Sequence, residues 1–126
     1  MLTEFNKYIN YSRQSISEKD IEAVLNILNS EYLTQGPVVP KFEEALIKMV
    51  GAKHGVAVNS ATSALHIACL ALEVGPGDRV WTSPNTFVAS ANSARFCGAE
   101  VDFVDIDGIT GNINVTELQT KLVLAN

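Results

Sequence analysis

Apolar positions follow two different periods along the chain. Ile21, Val24, Leu25 and Leu28 recur at helical spacing behind Ser17. Ser17 with Asp20 three residues on has the form of a capping box. Before it, Ile9-Asn10-Tyr11-Ser12 reads as extended, and after it Glu31-Tyr32-Leu33-Thr34-Gln35-Gly36-Pro37 breaks the period and reads as a loop. Beyond Pro40 a second stripe of Phe42, Ala45, Leu46 and Met49 predicts another amphipathic helix, closed by Gly51. Residues 64–72 are apolar nearly all round, which predicts a helix buried on several sides.

Short apolar runs alternate with these helices. Val56-Ala57-Val58 after Gly55 predicts a buried strand. Gly75-Pro76-Gly77-Asp78 turns into a second strand, Arg79-Val80-Trp81-Thr82, with Trp81 in the core. Ser83-Pro84-Asn85-Thr86 leads to a helix over 87–96 that Gly98 ends, and Val101-Asp102-Phe103-Val104 is a third strand. A last helix starts at Asn114, with Glu117 completing a capping box, and lines up Val115, Leu118 and Leu122. The order β-α-β-α-β favours an α/β fold with neighbouring parallel strands and right-handed crossovers. We expect one domain: an extended and helical segment over 1–54, then an incomplete βαβαβ unit with a further helix over 55–126. The helix ending at Asn126 has no partner element, so the chain reads as truncated.

Composition narrows the class. The 126 residues are 47% hydrophobic and 18% charged, as in a soluble globular protein. Nine basic against 14 acidic residues give a net charge of −5 with no basic block, which argues against nucleic acid or an anionic membrane as partner. No apolar run has the length of a membrane helix, and Met1-Leu2-Thr3-Glu4-Phe5-Asn6 lacks a signal-peptide pattern. Cys69 and Cys97 sit among small apolar residues and read as buried thiols of a cytoplasmic protein.

In a parallel α/β sheet, ligands bind at the carboxyl ends of the strands, where helix N-termini open into the crevice. Residues 59–63 and 83–86 would share that edge. Asn59-Ser60-Ala61-Thr62-Ser63 offers several N–H groups and hydroxyls to an anion, with a phosphate monoester as the natural ligand. Taken by itself, the loop reads first as an ordinary helix cap by Asn59 or Ser60. It lacks the glycines of a dinucleotide-binding turn and the G-K-[ST] of a Walker loop. Phe87 would lie in the first turn of its helix beside the same crevice. There it could stack on a planar heterocycle, or it could simply be a core residue. Asp105 and Asp107 do not fit a calcium loop around Gly108, so no metal is expected, and His54 and His66 read as surface or packing histidines.

Ser60-Ala61-Thr62-Ser63-Ala64-Leu65-His66 resembles the S-G-T-x-A-L-H segment of the nucleotide-sugar aminotransferases, a branch of the fold-type-I pyridoxal-phosphate enzymes. Leu33-Thr34-Gln35-Gly36-Pro37 with Phe42-Glu43, Gly75-Pro76-Gly77-Asp78, Pro84-Asn85-Thr86-Phe87-Val88-Ala89 and Phe103-Val104-Asp105-Ile106-Asp107 extend the likeness in the family's order. The resemblance implies the N-terminal part of a three-layer α/β/α large domain, with pyridoxal 5'-phosphate as cofactor. Ser60, Ala61 and Thr62 would hold its phosphate, and Phe87 would stack on its ring. Tyr11 and the Tyr32-Leu33-Thr34 loop would approach the sugar nucleotide. Within the family the loops are most similar to members that aminate C4 of a UDP-linked 4-keto-6-deoxy-N-acetyl sugar on the route to pseudaminic acid. An amino-acid donor such as glutamate and a homodimeric active site come with that resemblance. Ala61 stands where many relatives have Gly, which an Ala tolerates at negative φ. Asp105 and Asp107 become structural loop residues.

Transamination also needs a lysine that binds the cofactor and moves a proton, and an acid for the pyridine nitrogen. In the family both lie downstream. Lys7, Lys19, Lys41, Lys48, Lys53 and Lys121 lack that setting, so no catalytic residue is assigned to this chain and the fragment alone is expected to be inactive. A non-catalytic module binding phosphate or a nucleotide sugar is the alternative, as is part of a sister sugar dehydratase that uses histidine in place of the lysine.

Overall fold

The computed structural model of the chain describes residues 10–125; Ile9 and Asn126, to which the extended start and the helix end were assigned, lie outside the described residues. Contacts divide the chain into two compact units, Met1–Gly55 and Val56–Asn126.

The first unit has two helices, α1 (Glu18–Leu28) and α2 (Val38–Val50). The box at the start of α1 is complete: Asp20 N–H donates to Ser17 Oγ at 3.4 Å, and Ser17 N–H donates to Asp20 Oδ2 at 2.7 Å. The Ser17 backbone and then its hydroxyl hold the Asp20 carboxyl below its ordinary value. α2 starts at Val38, two residues earlier than the stripe alone suggested. Pro40 is tolerated there because a first-turn residue has no intrahelical N–H partner to lose. Gly51 ends α2 at φ 68°, a left-handed cap that glycine adopts without Cβ strain. The apolar stripe of α1, Ile21, Val24, Leu25 and Leu28, is 46–60% exposed.

The second unit carries α3 (Ala61–Ala71), β1 (Arg79–Thr82), α4 (Ala89–Phe96), β2 (Glu100–Phe103) and α5 (Val115–Leu124). β1 and β2 pair in parallel, from Arg79 with Glu100 to Thr82 with Phe103. Val104 N–H extends the ladder to the Thr82 carbonyl at 3.0 Å, and Val104 is fully buried. Ala89, Ser93, Ala94 and Ala99 complete the buried set among the described residues. These residues are small, so α4 packs close on both strands. Gly98 leaves α4 at φ 86°, and a Cβ there would sit 3.1 Å from Pro76 Cγ, so its position is closed to larger residues. Asn114 Oδ1 caps α5 by accepting from the N–H groups of Thr116 and Glu117, at 3.0 and 3.2 Å. That is the half of the capping box that Asn114 supplies.

Four expectations change. The Val56-Ala57-Val58 run is not a strand, and Val56 is 70% exposed. A strand exists through a hydrogen-bonded neighbour, and the two strands described here pair with each other. α3 begins three residues before 64 and is not buried: Leu65 and Leu70 stay 40% and 53% exposed, because its main packing partner in this unit is α4. The two thiols are half-buried rather than buried. Desolvation, then the proximity of Cys69, pushes the Cys97 thiol up. Trp81 is half-buried rather than core, since its indole N–H reaches out to Asp102 Oδ2 at 3.0 Å.

Asp102 gathers several donors. Lys121 Nζ of α5 lies 2.8 Å from Oδ2, and Phe103 N–H donates to Oδ1 at 2.8 Å. Lys121 first, then Phe103 and Trp81, bring its carboxyl down to about 2. A folded-state value below the unfolded one contributes stability present above about pH 4 and lost as pH falls toward about 2. Asp102→Asn is therefore expected to lower Tm at neutral pH and to flatten the acid limb of a plot of Tm against pH followed by circular dichroism. Parallel acid limbs for the two proteins would show that the Lys121 contact contributes nothing.

Candidate functional site

The start of α3 is where the small polar residues converge. Ser60 is the N-cap in extended conformation, at φ −160° and ψ 157°, and its Oγ accepts the Ser63 N–H at 3.1 Å. Ser63 Oγ donates to Asn59 Oδ1 at 2.7 Å and lies 3.1 Å from Ser60 Oγ. The ordinary helix-cap role of Ser60 is thus real. It satisfies one donor of the first turn and leaves the N–H groups of Ala61 and Thr62 without an acceptor among the described residues. Positive φ among non-glycine residues is confined to Gln35 and Glu73 in the described part, so Ala61 meets the condition for replacing a glycine. Two adjacent amides at the positive end of a helix, with a serine hydroxyl beside them, can hold a phosphate dianion.

The second loop starts where β1 ends. Asn85 N–H donates to Ser83 Oγ at 3.2 Å, and Thr86 Oγ1 lies 3.3 Å from Ser90 Oγ. Phe87 stands two residues before α4 rather than inside its first turn, and its carbonyl accepts the Ser90 N–H at 3.1 Å. Its ring is 73% exposed, which removes the core-residue alternative in this structure. No hydrogen bond or ring contact joins Phe87 to residues 60–62 among the described residues.

Topology places both features away from the amino edge of the strands. α3 hands the chain to that edge through the turn 75–78, where Asp78 N–H donates to the Gly75 carbonyl at 3.1 Å. Its N-terminus lies ~16 Å of helix earlier. A hollow of about 470 Å³, lined by Arg95, Gly98, Ala99, Glu100 and Val101, opens at the start of β2 and touches neither loop.

His66 packs edge-on against Phe96, with ring centroids 5.4 Å apart, which makes it a packing histidine. Asp107 accepts from Thr110 N–H, Thr110 Oγ1 and Ile109 N–H, at 2.8, 2.9 and 3.1 Å. Those donors, Thr110 first, hold its carboxyl below the ordinary value and tie it into a turn. Both aspartates, Asp105 included, serve the loop before α5.

Tyr11, Tyr32, Leu33 and Thr34 belong to the first unit and are exposed. Ser30 Oγ lies beside the second of these: it accepts the Tyr32 N–H at 3.4 Å and shares its one proton between the carbonyls of Ile27 at 2.8 Å and Tyr32 at 3.1 Å. Gln35 sits at φ 54°, and a Cβ on Gly36 would fall 2.7 Å from Tyr32 Cβ. Sequence reading missed these two loop-shaping contacts; the Gln35-Gly36-Pro37 run was the available signal.

The model of the DegT/DnrJ/EryC1/StrS aminotransferase family matches residues 14–123. The chain belongs to this family. Among curated relatives, the UDP-4-amino-4,6-dideoxy-N-acetyl-beta-L-altrosamine transaminase of Campylobacter jejuni (strain 81-176) is 47% identical over 115 residues. That match takes in 91% of this chain and 30% of the relative's length. Among solved structures, the putative sugar aminotransferase Spr1654 of Streptococcus pneumoniae in its PLP form has a TM-score of 0.83 at 34% identity. It covers 89% of this chain and 29% of its own. Helicobacter pylori PseC, an aminotransferase of pseudaminic acid biosynthesis, also has a TM-score of 0.83, at 38% identity over 90% of this chain and 31% of its own. The chain thus spans about a third of the length of the relatives it matches. Family and neighbours make it part of the α/β large domain of a fold-type-I enzyme, whose cofactor is pyridoxal 5'-phosphate.

Three substitutions test the local geometry. Ser60→Ala should cost about 1 kcal/mol of stability through the lost cap, whereas Thr62→Ala, outside the cap, should cost less than half of that in denaturant melts. Gly36→Ala should destabilise the first unit by roughly 1–3 kcal/mol through overpacking on Tyr32; an unchanged midpoint would mean that the loop has room.

Proposed function

We propose that this chain supplies the cofactor-phosphate cradle of a sugar-nucleotide transaminase, with Ser60, Ala61 and Thr62 as the cradle and Phe87 as the stacking ring. The observation that carries the reading is the pair of open amides at Ala61 and Thr62 beside the Ser60 hydroxyl, in a chain of this family. When bound, the pyridine ring of the cofactor serves as the electron sink of amino transfer. The residues here bind and orient: two amides with the Ser60 and Thr62 hydroxyls would hold by hydrogen bonds a dianion that a protein of net charge −5 does not attract through its overall field. The exposed face of Phe87 would cover one side of the ring.

The substrate of the intact enzyme, in this reading, is a UDP-linked 4-keto-6-deoxy-N-acetyl sugar aminated at C4, with glutamate as donor. The Campylobacter relative is a UDP-4-amino-4,6-dideoxy-N-acetyl-beta-L-altrosamine transaminase and PseC acts in pseudaminic acid biosynthesis, and both support this reading. Tyr11 and the Tyr32-Leu33-Thr34 loop would meet the sugar nucleotide, and the active site would form in a homodimer in the cytoplasm. The proton-moving lysine and the acid for the pyridine nitrogen would come from outside these 126 residues, since the chain's own lysines lack the family setting.

Pyridoxamine 5'-phosphate titrated into the chain, followed by its fluorescence, tests the cradle. Binding at least tenfold tighter than that of pyridoxamine is expected, with most of the preference lost in Ser60→Ala/Thr62→Ala. Equal affinity for the two compounds would sink the cradle assignment. For the substrate, the intact enzyme with glutamate and the 4-keto sugar nucleotide should release 2-oxoglutarate, whereas turnover with other keto sugars only would overturn the assignment.

A further inference from the structure

The hydrogen bonds at the start of α3 run in one direction, and Asn59 sets it. Ser63 Oγ lies 2.7 Å from Asn59 Oδ1, an acceptor with no proton to give. Ser63 has a single hydroxyl proton, so that contact uses it. The 3.1 Å contact between Ser60 Oγ and Ser63 Oγ is then a hydrogen bond in which Ser60 donates. Ser60 Oγ meanwhile accepts the Ser63 N–H at 3.1 Å. Its oxygen is therefore anchored by a backbone donor, while its proton can leave Ser63 by rotation about the Cβ–O bond.

We infer that Asn59 is a positioning residue for the cofactor phosphate: it holds the Ser63 proton inward and so leaves Ser60 as the hydroxyl that turns to the anion. The inference rests on the cradle reading above. Besides the Thr62 hydroxyl, a phosphate at the Ala61 and Thr62 amides meets at Ser60 a movable proton donor whose oxygen is already in place. As that proton swings to the anion, Ser60 keeps the bond it accepts from Ser63 N–H. Ser63 stays committed to Asn59 and does not compete. A donor ordered before the ligand arrives loses less on binding than one ordered by it. Asn59 acts through Ser63, so its effect should appear only in the part of the affinity that the phosphate contributes.

Pyridoxamine 5'-phosphate and pyridoxamine differ only in the phosphate, and neither carries an aldehyde that reacts with lysines. The ratio of their affinities for the full chain isolates the phosphate term. Asn59→Ala and Ser63→Ala are each expected to lower that ratio about fivefold, and the double variant to lower it no further. Ser63→Thr, which keeps the hydroxyl, should retain the wild-type ratio. A merely structural Asn59 would shift Tm and both affinities together and leave the ratio unchanged; that result, or losses that add in the double variant, overturns the inference. Should Asn59→Ala fail to fold, the contrast between Ser63→Ala and Ser63→Thr decides alone. A wild-type chain with equal affinities would instead bring down the cradle reading itself, and this inference with it.

Discussion

Two strands that pair in parallel must be joined by an element that carries the chain back to the edge where the first strand began, and the second unit is arranged around that requirement. α4 meets it with eight residues, ~12 Å of helix, against strands of four residues, ~13 Å long. The match leaves no slack, so the turns at both ends are tight. Gly98 ends the helix at positive φ against Pro76, and the short loop 83–88 begins it. The buried residues of α4 are Ala89, Ser93 and Ala94 for the same reason: a larger side chain would lift the helix off the ladder.

From that pairing the polar features take their places. The parallel register sets Trp81 beside Asp102 and Arg79 beside Glu100. Arg79–Glu100 at 2.7 Å is an exposed pair that solvent screens, so it adds little to stability. Asp102 matters more, because one carboxylate joins β1 through the indole and α5 through Lys121. The charged side of the unit is thus used for assembly, and at the helix start of α3 the Ala61 and Thr62 amides stand open among the described residues.

Features legible in the sequence were those decided within a few residues. The Ser17/Asp20 box, the Ser60 and Asn114 caps, the Gly51 and Gly98 stops and the strand Arg79-Val80-Trp81-Thr82 each follow from local chemistry. What failed needed knowledge of a neighbour. Val56-Ala57-Val58 has the composition of a buried strand, yet a ladder depends on what lies alongside. The all-round apolar surface of α3 likewise reports what could cover it, while the helix itself packs mainly on α4. Phe87 was displaced by two residues because Thr86 and Ser90, rather than the ring, mark where α4 begins. Composition says nothing of the direction of the Asn59-Ser63-Ser60 hydrogen bonds, which appears only once the 2.7 Å contact is measured.

The cap and the phosphate site are not rival accounts of the same atoms. A helix start leaves its first-turn amides without intrahelical partners, and a serine cap satisfies one of them. Here that one is Ser63 N–H. Ala64 N–H already reaches the Ser60 carbonyl at 3.1 Å, which closes the first turn. What stays open is the consecutive pair Ala61 and Thr62, and a cap is what keeps that pair in helical geometry and pointing the same way. In the proposed reading, an anion needs the cap to be made before it can be held, so the same loop would serve as cap and as scaffold. Family membership supplies the identity of the cofactor; in the proposed cradle the two amides would be joined by the hydroxyls of Ser60 and Thr62.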